Sequence, residues 1–161
     1  MNAPQRKQNR LRGYDYSRAG AYFVTVCTQD KCCTLCNVVG DGFPVPKRFG
    51  EIVEAYIARI GEKYPGVHVD NYVVMPNHIH LLLRFAGGTG DPSPTLGEVM
   101  GWFKYAVTRE VNRGMGTEGT RVFQRSYHDH VIRDERDYLR IWEYIDGNPS
   151  KWVDDCYYIP D

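Results

Sequence analysis

The segment VHVDNYVVMPNHIHLLLRF (67–85) constrains this chain more than any other. It holds two strand-like runs, VHVDNYVVM (67–75) and HIHLLLRF (78–85), separated only by Pro76 and Asn77. Two residues cannot carry a crossover connection, which takes a dozen or more, so the runs must pair as antiparallel strands. Along the second run the side chains alternate between faces. His78, His80, Leu82 and Arg84 therefore share one side of a sheet, and Ile79, Leu81, Leu83 and Phe85 the other. Two imidazoles project side by side.

The remaining pattern supplies partners for that pair. AYFVTVCTQ (21–29) is β-branched and aromatic and reads as a strand, continued as a hairpin through CCTLCNVV (32–39), and GDGFPVPK (40–47) is expected to break regular structure. Ile52, Val53, Tyr56, Ile57, Ile60 and Tyr64 recur at helical spacing between Phe49 and Tyr64, where Pro65-Gly66 stops the run. After GGTGDPSP, Thr95 with Glu98 forms a capping box, and Leu96, Val99, Met100, Phe103, Val107 and Val111 keep one helical face. VFQRSYHDHVI (122–132) reads as a fourth main strand, and Asp134 with Asp137 caps a third helix, DERDYLRIWEYID, which Pro149 closes. The order β(β)-α-β-β-α-β-α predicts an α+β fold. It is best matched by a ferredoxin-like split β-α-β sandwich, an antiparallel sheet with helices packed on one face plus a C-terminal helix. That fold serves RNA binders, metal carriers and nucleases alike, so it settles no function.

A chain of 161 residues with 25% charged and 42% hydrophobic residues is long enough for one soluble globular domain, here residues 19–161. No apolar run approaches the roughly 18 residues of a membrane span, and no internal repeat is visible. The N-terminal stretch lacks the apolar core of a secretory signal, so a cytoplasmic location with five reduced cysteines is expected. The charge balances at 20 Lys+Arg against 20 Asp+Glu, yet residues 1–18 carry Arg6, Lys7, Arg10, Arg12 and Arg18 against Asp15 alone. Such a basic arm either solubilises the chain or neutralises phosphates.

Four constellations are candidates for chemistry. His78 and His80, two apart on a strand, suit a divalent cation given a further ligand from elsewhere, or are structural histidines. On the last helix Tyr138, Ile141, Trp142 and Ile145 form the core-facing stripe. Tyr144 lies to one side of it with Asn148 one turn on, so it is either a surface aromatic or half of a phenol–amide pair. Cys27, Cys32, Cys33 and Cys36 lack the two separated CxxC pairs of a zinc ribbon and are read as free thiols. His128 and His130 also alternate onto one face but have no nucleophile placed beside them, so they are read as structural or close to a bound nucleic acid.

VVMPNHIHLLLR, the helix containing FKYAVTREVN, and FQRSYHDHVIRDERDYLRIWEYIDGNP together resemble the single-tyrosine HUH transposases, in particular the REP-associated tyrosine transposases. The opening LRGYDYSRAGAYFVTVCTQDK is also similar, so the likeness runs from about Leu11 to about Trp152. The resemblance implies metal-dependent cleavage and rejoining of single-stranded DNA at palindromic repeat hairpins. His78 and His80 would hold Mg²⁺ or Mn²⁺, Asn148 would be the third ligand, and Tyr144 would be the nucleophile forming a 5′-phosphotyrosine. Some relatives use Gln at the position of Asn148, which keeps the amide oxygen but alters its reach. Rival nucleophiles are Tyr127 and Tyr138. DNA contacts would fall to the arm through Arg10 and Arg12, and to Lys104, Arg109, Arg125 and Arg133. A homodimer is a further implied partner, because related insertion-sequence enzymes exchange their tyrosine helix between subunits. Two other classes stand beside this one: a non-catalytic nucleic-acid-binding module on the same fold, and a zinc-dependent regulator built on the cysteines.

Overall fold

In the computed structural model, which describes residues 20–87 and 93–160, the hairpin of strands sits inside a four-stranded antiparallel sheet. The elements are β1 (Gly20–Cys27), β2 (Cys36–Val39), β3 (Phe43–Pro46), α1 (Arg48–Lys63), β4 (Val67–Val74), β5 (His78–Phe85), α2 (Leu96–Met115), β6 (His128–Ile132) and α3 (Glu135–Gly147). The sheet order is β4-β5-β1-β6, with β5 inserted between β1 and β4, the split arrangement of a ferredoxin-like fold. The sequence-predicted basic arm, including Arg10 and Arg12, lies outside the described residues.

Alternation on β1 and β5 divides the protein into two cores. Tyr22, Val24 and Val26 of β1, with Ile79, Leu81, Leu83 and Phe85 of β5, pack against the apolar stripes of α1 and α2. The opposite face is smaller: Leu82, with Val73 and Met75, takes Ile141 and Ile145 of α3, and Phe23, Tyr138, Trp142 and Trp152 close round them. Each such aliphatic side chain removed from water contributes about 1.5–3 kcal/mol, so the stripe of α3 is sufficient to seat that helix on the histidine-bearing face. The Thr95–Glu98 capping box forms reciprocally at the start of α2, and the Asp134 carboxylate accepts from the Asp137 N–H at the start of α3.

A bulge in β4 between Val69 and Asn71 turns two polar side chains toward α3. The Tyr138 hydroxyl donates to Asp70 at 2.8 Å, and Asn71 Nδ2 donates to Asp146 at 2.9 Å, so α3 is tied near both ends. Arg84 completes this cluster with two hydrogen bonds to Asp70.

Two strand expectations need correction. The stretch 32–39 does not extend β1 into a hairpin, because β1 is already paired on both sides, with β5 and β6. Instead β2 pairs with β3 in a separate two-stranded sheet, and β3 is FPVP, inside the stretch expected to be irregular. Proline is tolerated there because a two-stranded ribbon is all edge. The fourth main strand is also shorter than predicted: only His128–Ile132 pairs with β1, preceded by a single bridge between Thr28 and Phe123.

Candidate active site

The histidine face of β5 meets α3 and the segment that follows it. His78 and His80 are buried, at 0% and 1% exposure, while Tyr144 keeps 43% of its surface open. The Tyr144 ring lies 5.4 Å from His80 and edge-on to Phe23 at 5.9 Å, centroid to centroid. Asn148 is buried beside them. It keeps helical backbone angles at the end of α3, so the one-turn spacing from Tyr144 holds despite Pro149.

The neighbours of each imidazole engage its Nδ1, and at His78 they also place the proton. Asn77 spends its Nδ2 on the carbonyls of Lys31 and Tyr157, at 3.3 and 2.8 Å, which turns its Oδ1 to His78 Nδ1 at 2.9 Å. An amide oxygen only accepts, so His78 carries its proton on Nδ1 and presents a bare lone pair at Nε2. His80 Nδ1 lies 2.8 Å from Thr25 Oγ1, its cross-strand partner on β1. If the ring donates to that hydroxyl, its Nε2 is bare as well.

His78 Nε2, His80 Nε2 and Asn148 Oδ1 are all buried without a hydrogen-bond partner. Asn148 lies close enough to His78 and Tyr144 to raise the proton affinity of the first and lower that of the second, without forming a well-shaped hydrogen bond to either. Three orphaned polar atoms in one buried spot are costly as they stand, and two imidazole nitrogens with an amide oxygen fit a first-row divalent cation. Burial pushes His78 down to about 4, against the opposing pull of Asp155 and Asn148. Burial, then the adjacent His78, holds His80 well below the ordinary histidine range. Both rings are thus neutral at pH 7, the form that ligates metal. Burial foremost, then Asp155, raises the Tyr144 phenol, and the Asn148 amide opposes this.

Three neighbours are given no role by the sequence reading. Past Pro149 the chain makes a short 3-10 turn and folds back over the histidines. It places Asp155 Oδ2 3.8 Å from His78 Nε2 and the Tyr157 ring 4.5 Å from His78. One ligand atom from each of His78, His80 and Asp155 lies within 4.8 Å of the others, the one such group of three or more His, Cys, Asp or Glu among the described residues. Asn77, the third, orients His78 and clamps the returning segment through the Tyr157 carbonyl.

The other sequence-predicted residues fall elsewhere. Tyr127 is buried in the larger core, and the Tyr138 hydroxyl is bound to Asp70; burial, then that carboxylate, raises its phenol to about 12. Lys104 Nζ donates to the carbonyls of Gln124 and Arg125, at 2.6 and 2.9 Å, holding the loop before β6. Arg109 is exposed in a groove between α1 and α2, across the sheet from Tyr144. Arg125 is exposed next to Gln124, whose N–H donates to Cys27 at the site's end of β1, whereas Arg133 follows the far end of β6. His130 Nε2 donates to the Asp137 carboxylate at 2.7 Å, a structural role. Cys27 and Cys36 are buried thiols, raised by burial to about 11 and 12, and the four clustered cysteines assemble no metal group.

Comparison with known proteins identifies the family. Residues 45–148 match the family described as IS200-like transposase. An uncharacterized protein of Haemophilus influenzae is 32% identical over 171 residues, spanning 96% of this chain and 93% of the relative. A second protein of that organism, described by name as a REP-associated tyrosine transposase, is 26% identical over 142 residues, 85% of this chain and 74% of its own length. In fold, the chain is similar to the solved structure of a REP-associated tyrosine transposase bound to a REP hairpin, with a TM-score of 0.59 and 20% identity over 88% of this chain and 73% of that one. With the match covering more than half of its length, the chain belongs to the IS200-like transposase family.

Proposed function

We propose that this transposase cleaves and rejoins single-stranded DNA at palindromic hairpins through a covalent bond to Tyr144. The observation that carries this reading is the contrast within the cleft: a half-open phenol set against buried imidazole and amide lone pairs that face no protein donor. A nucleophile has to be reached by its substrate, whereas ligands are best kept dry.

His78, His80 and Asn148 would hold a divalent cation, Mn²⁺ or Mg²⁺. Bound there, it supplies positive charge at the scissile phosphate and so eases attack by a phenol whose ordinary pKa is near 10. Tyr144 Oη then bonds to phosphorus as the bond from phosphorus to the 3′ oxygen breaks. The phenol proton is released, the 3′ oxygen gains one, and no other reactant is consumed. Phe23 and His80 bracket the Tyr144 ring, limiting its swing before attack. Because the phosphotyrosine keeps the ester energy, a second 3′-hydroxyl can reverse the step. The hairpin substrate is supported by the name of the second Haemophilus influenzae relative and by the REP hairpin held in the similar solved structure. Arg125, exposed at the site's end of the sheet, is the predicted cation best placed to meet DNA phosphate.

The test is cleavage of a 5′-labelled hairpin oligonucleotide with a single-stranded flank, in Mn²⁺. The labelled fragment is expected to leave with a 3′-hydroxyl that a polymerase extends, while the other fragment stays on the protein. Hairpin binding without cleavage in either metal would instead favour the non-catalytic binding module.

A further inference from the structure

Resting on the reading of this cleft as a cation-dependent strand-cleavage site, we propose that Asp155 is the anionic ligand of the same cation, delivered by the segment that follows α3. The Asp155 side chain is 3% exposed, against 0% for the His78 ring it faces. Its Oδ1 accepts the Tyr157 N–H at 2.8 Å, which leaves Oδ2 turned to His78 Nε2 at 3.8 Å. That separation is too long for a hydrogen bond. With the His78 proton fixed on Nδ1 by Asn77, Nε2 also has no hydrogen to offer. Two lone pairs, one on a carboxylate, therefore face each other across a gap and repel.

A shared cation turns that repulsion into attraction. Two ligands of one small dication, each about 2.1 Å from it, lie roughly 3.0–3.4 Å apart at octahedral or tetrahedral angles. The 3.8 Å gap needs little closure to reach that span, and the 4.8 Å limit on the His78, His80 and Asp155 ligand atoms keeps all three within reach of one ion. A buried carboxylate is stable only when paired or metal-bound. Among the described residues no lysine or arginine makes an ion pair with Asp155, and its one neighbour at that range is His78 Nε2.

The local fold is built to deliver this carboxylate. Pro149 ends the helix, Trp152 is packed in the smaller core, and Asn77 pins the Tyr157 carbonyl, so the chain on either side of Asp155 is anchored. His78, His80 and Asn148 are neutral donors, and Asp155 adds the single negative charge that would retain a dication before DNA brings its own phosphate. Asp154, its exposed neighbour, provides an internal control.

The experiment is titration of the full chain, free of DNA, with Mn²⁺, reading free Mn²⁺ by electron paramagnetic resonance. The wild type is expected to bind one ion, His80→Ala to lose it, Asp155→Asn and Asp155→Ser to bind at least tenfold more weakly, and Asp154→Asn to match the wild type. At saturating Co²⁺ the visible spectrum of Asp155→Asn should differ from the wild type, a change that a purely structural role would not produce. If both Asp155 variants bind Mn²⁺ like the wild type while His80→Ala does not, Asp155 is not a ligand and the metal site stands without it. If the wild type binds no Mn²⁺, the reading of the cleft falls and this inference with it. Unfolding of the metal-free Asp155 variants, seen by circular dichroism, would also overturn the assignment by making the residue a folding element.

Discussion

Replacing Thr25 by Val isolates the device that sets the His80 proton. The two side chains are nearly the same shape, so the substitution removes one hydroxyl and little volume. Thr25 is 4% exposed, and its Oγ1 lies 2.8 Å from His80 Nδ1, with His80 itself 1% exposed. No water can replace the lost partner without repacking. A buried polar group left unmatched costs about 1–3 kcal/mol. For a domain of this size that lowers the Tm by roughly 2–12 °C, at about 2–4 °C per kcal/mol. The same substitution frees the ring to carry its proton on Nε2, the atom meant for the cation. Loss of an outer-shell partner of this kind weakens metal binding roughly 10–100-fold. Thermal unfolding without metal and Mn²⁺ titration calorimetry read the two effects separately, with Thr25→Ser as the variant that keeps the hydroxyl. A Thr25→Val chain that loses stability but binds Mn²⁺ like the wild type would refute the tautomer reasoning and leave Thr25 a packing residue.

Further outcomes follow from the same geometry. Acid should destabilise the metal-free protein in a defined window. An unfolded histidine takes up its proton near pH 6.5, but folded His78 resists until about pH 4, so the stability held by the neutral ring is present above 6.5 and lost between 6.5 and about 4. From His78 alone the loss is about 2 kcal/mol by pH 5 and about 3 kcal/mol below pH 4, and His80 adds in the same direction. Urea unfolding at pH 7.5, 5.0 and 4.0 measures it, and equal stability at pH 7.5 and 5.0 would contradict the burial of neutral rings. Gly50→Ala should cost about 1–3 kcal/mol or more, because a Cβ there would run into the backbone carbonyl of Leu35 at the base of α1. Chemical denaturation checks this, and a neutral substitution would mean that the β2–β3 end of α1 yields easily.

What could be seen in the sequence is what repeats. The β4–β5 hairpin, the shared face of His78 and His80, the off-stripe placement of Tyr144 and the capping box at Thr95 all rest on strand or helix periodicity or on a local hydrogen-bond rule, and the structure keeps each of them. FPVP was unreadable as a strand because prolines forbid a central strand, and nothing local shows that its partner lies only a turn away in β2. Asp155 and Tyr157 belong to an irregular return whose path is set by the Trp152 packing and the Asn77 clamp, both long-range contacts. Lys104, expected to contact DNA, is instead occupied by two carbonyls of a loop twenty residues on. Charge alone does not show whether an ammonium meets solvent, a nucleic acid or the protein's own backbone.

Tryptic mapping of the protein–DNA adduct tests the central claim most directly. Cleavage after Arg140 and Lys151 yields IWEYIDGNPSK, which contains Tyr144 and no other tyrosine, whereas Tyr138 and Tyr157 fall in separate peptides. After reaction with a repeat hairpin in Mn²⁺, the added nucleotide mass should sit on that peptide alone and vanish in Tyr144→Phe. Nucleotide on the peptide of Tyr157 or Tyr138, or an adduct that persists in Tyr144→Phe, would contradict the account.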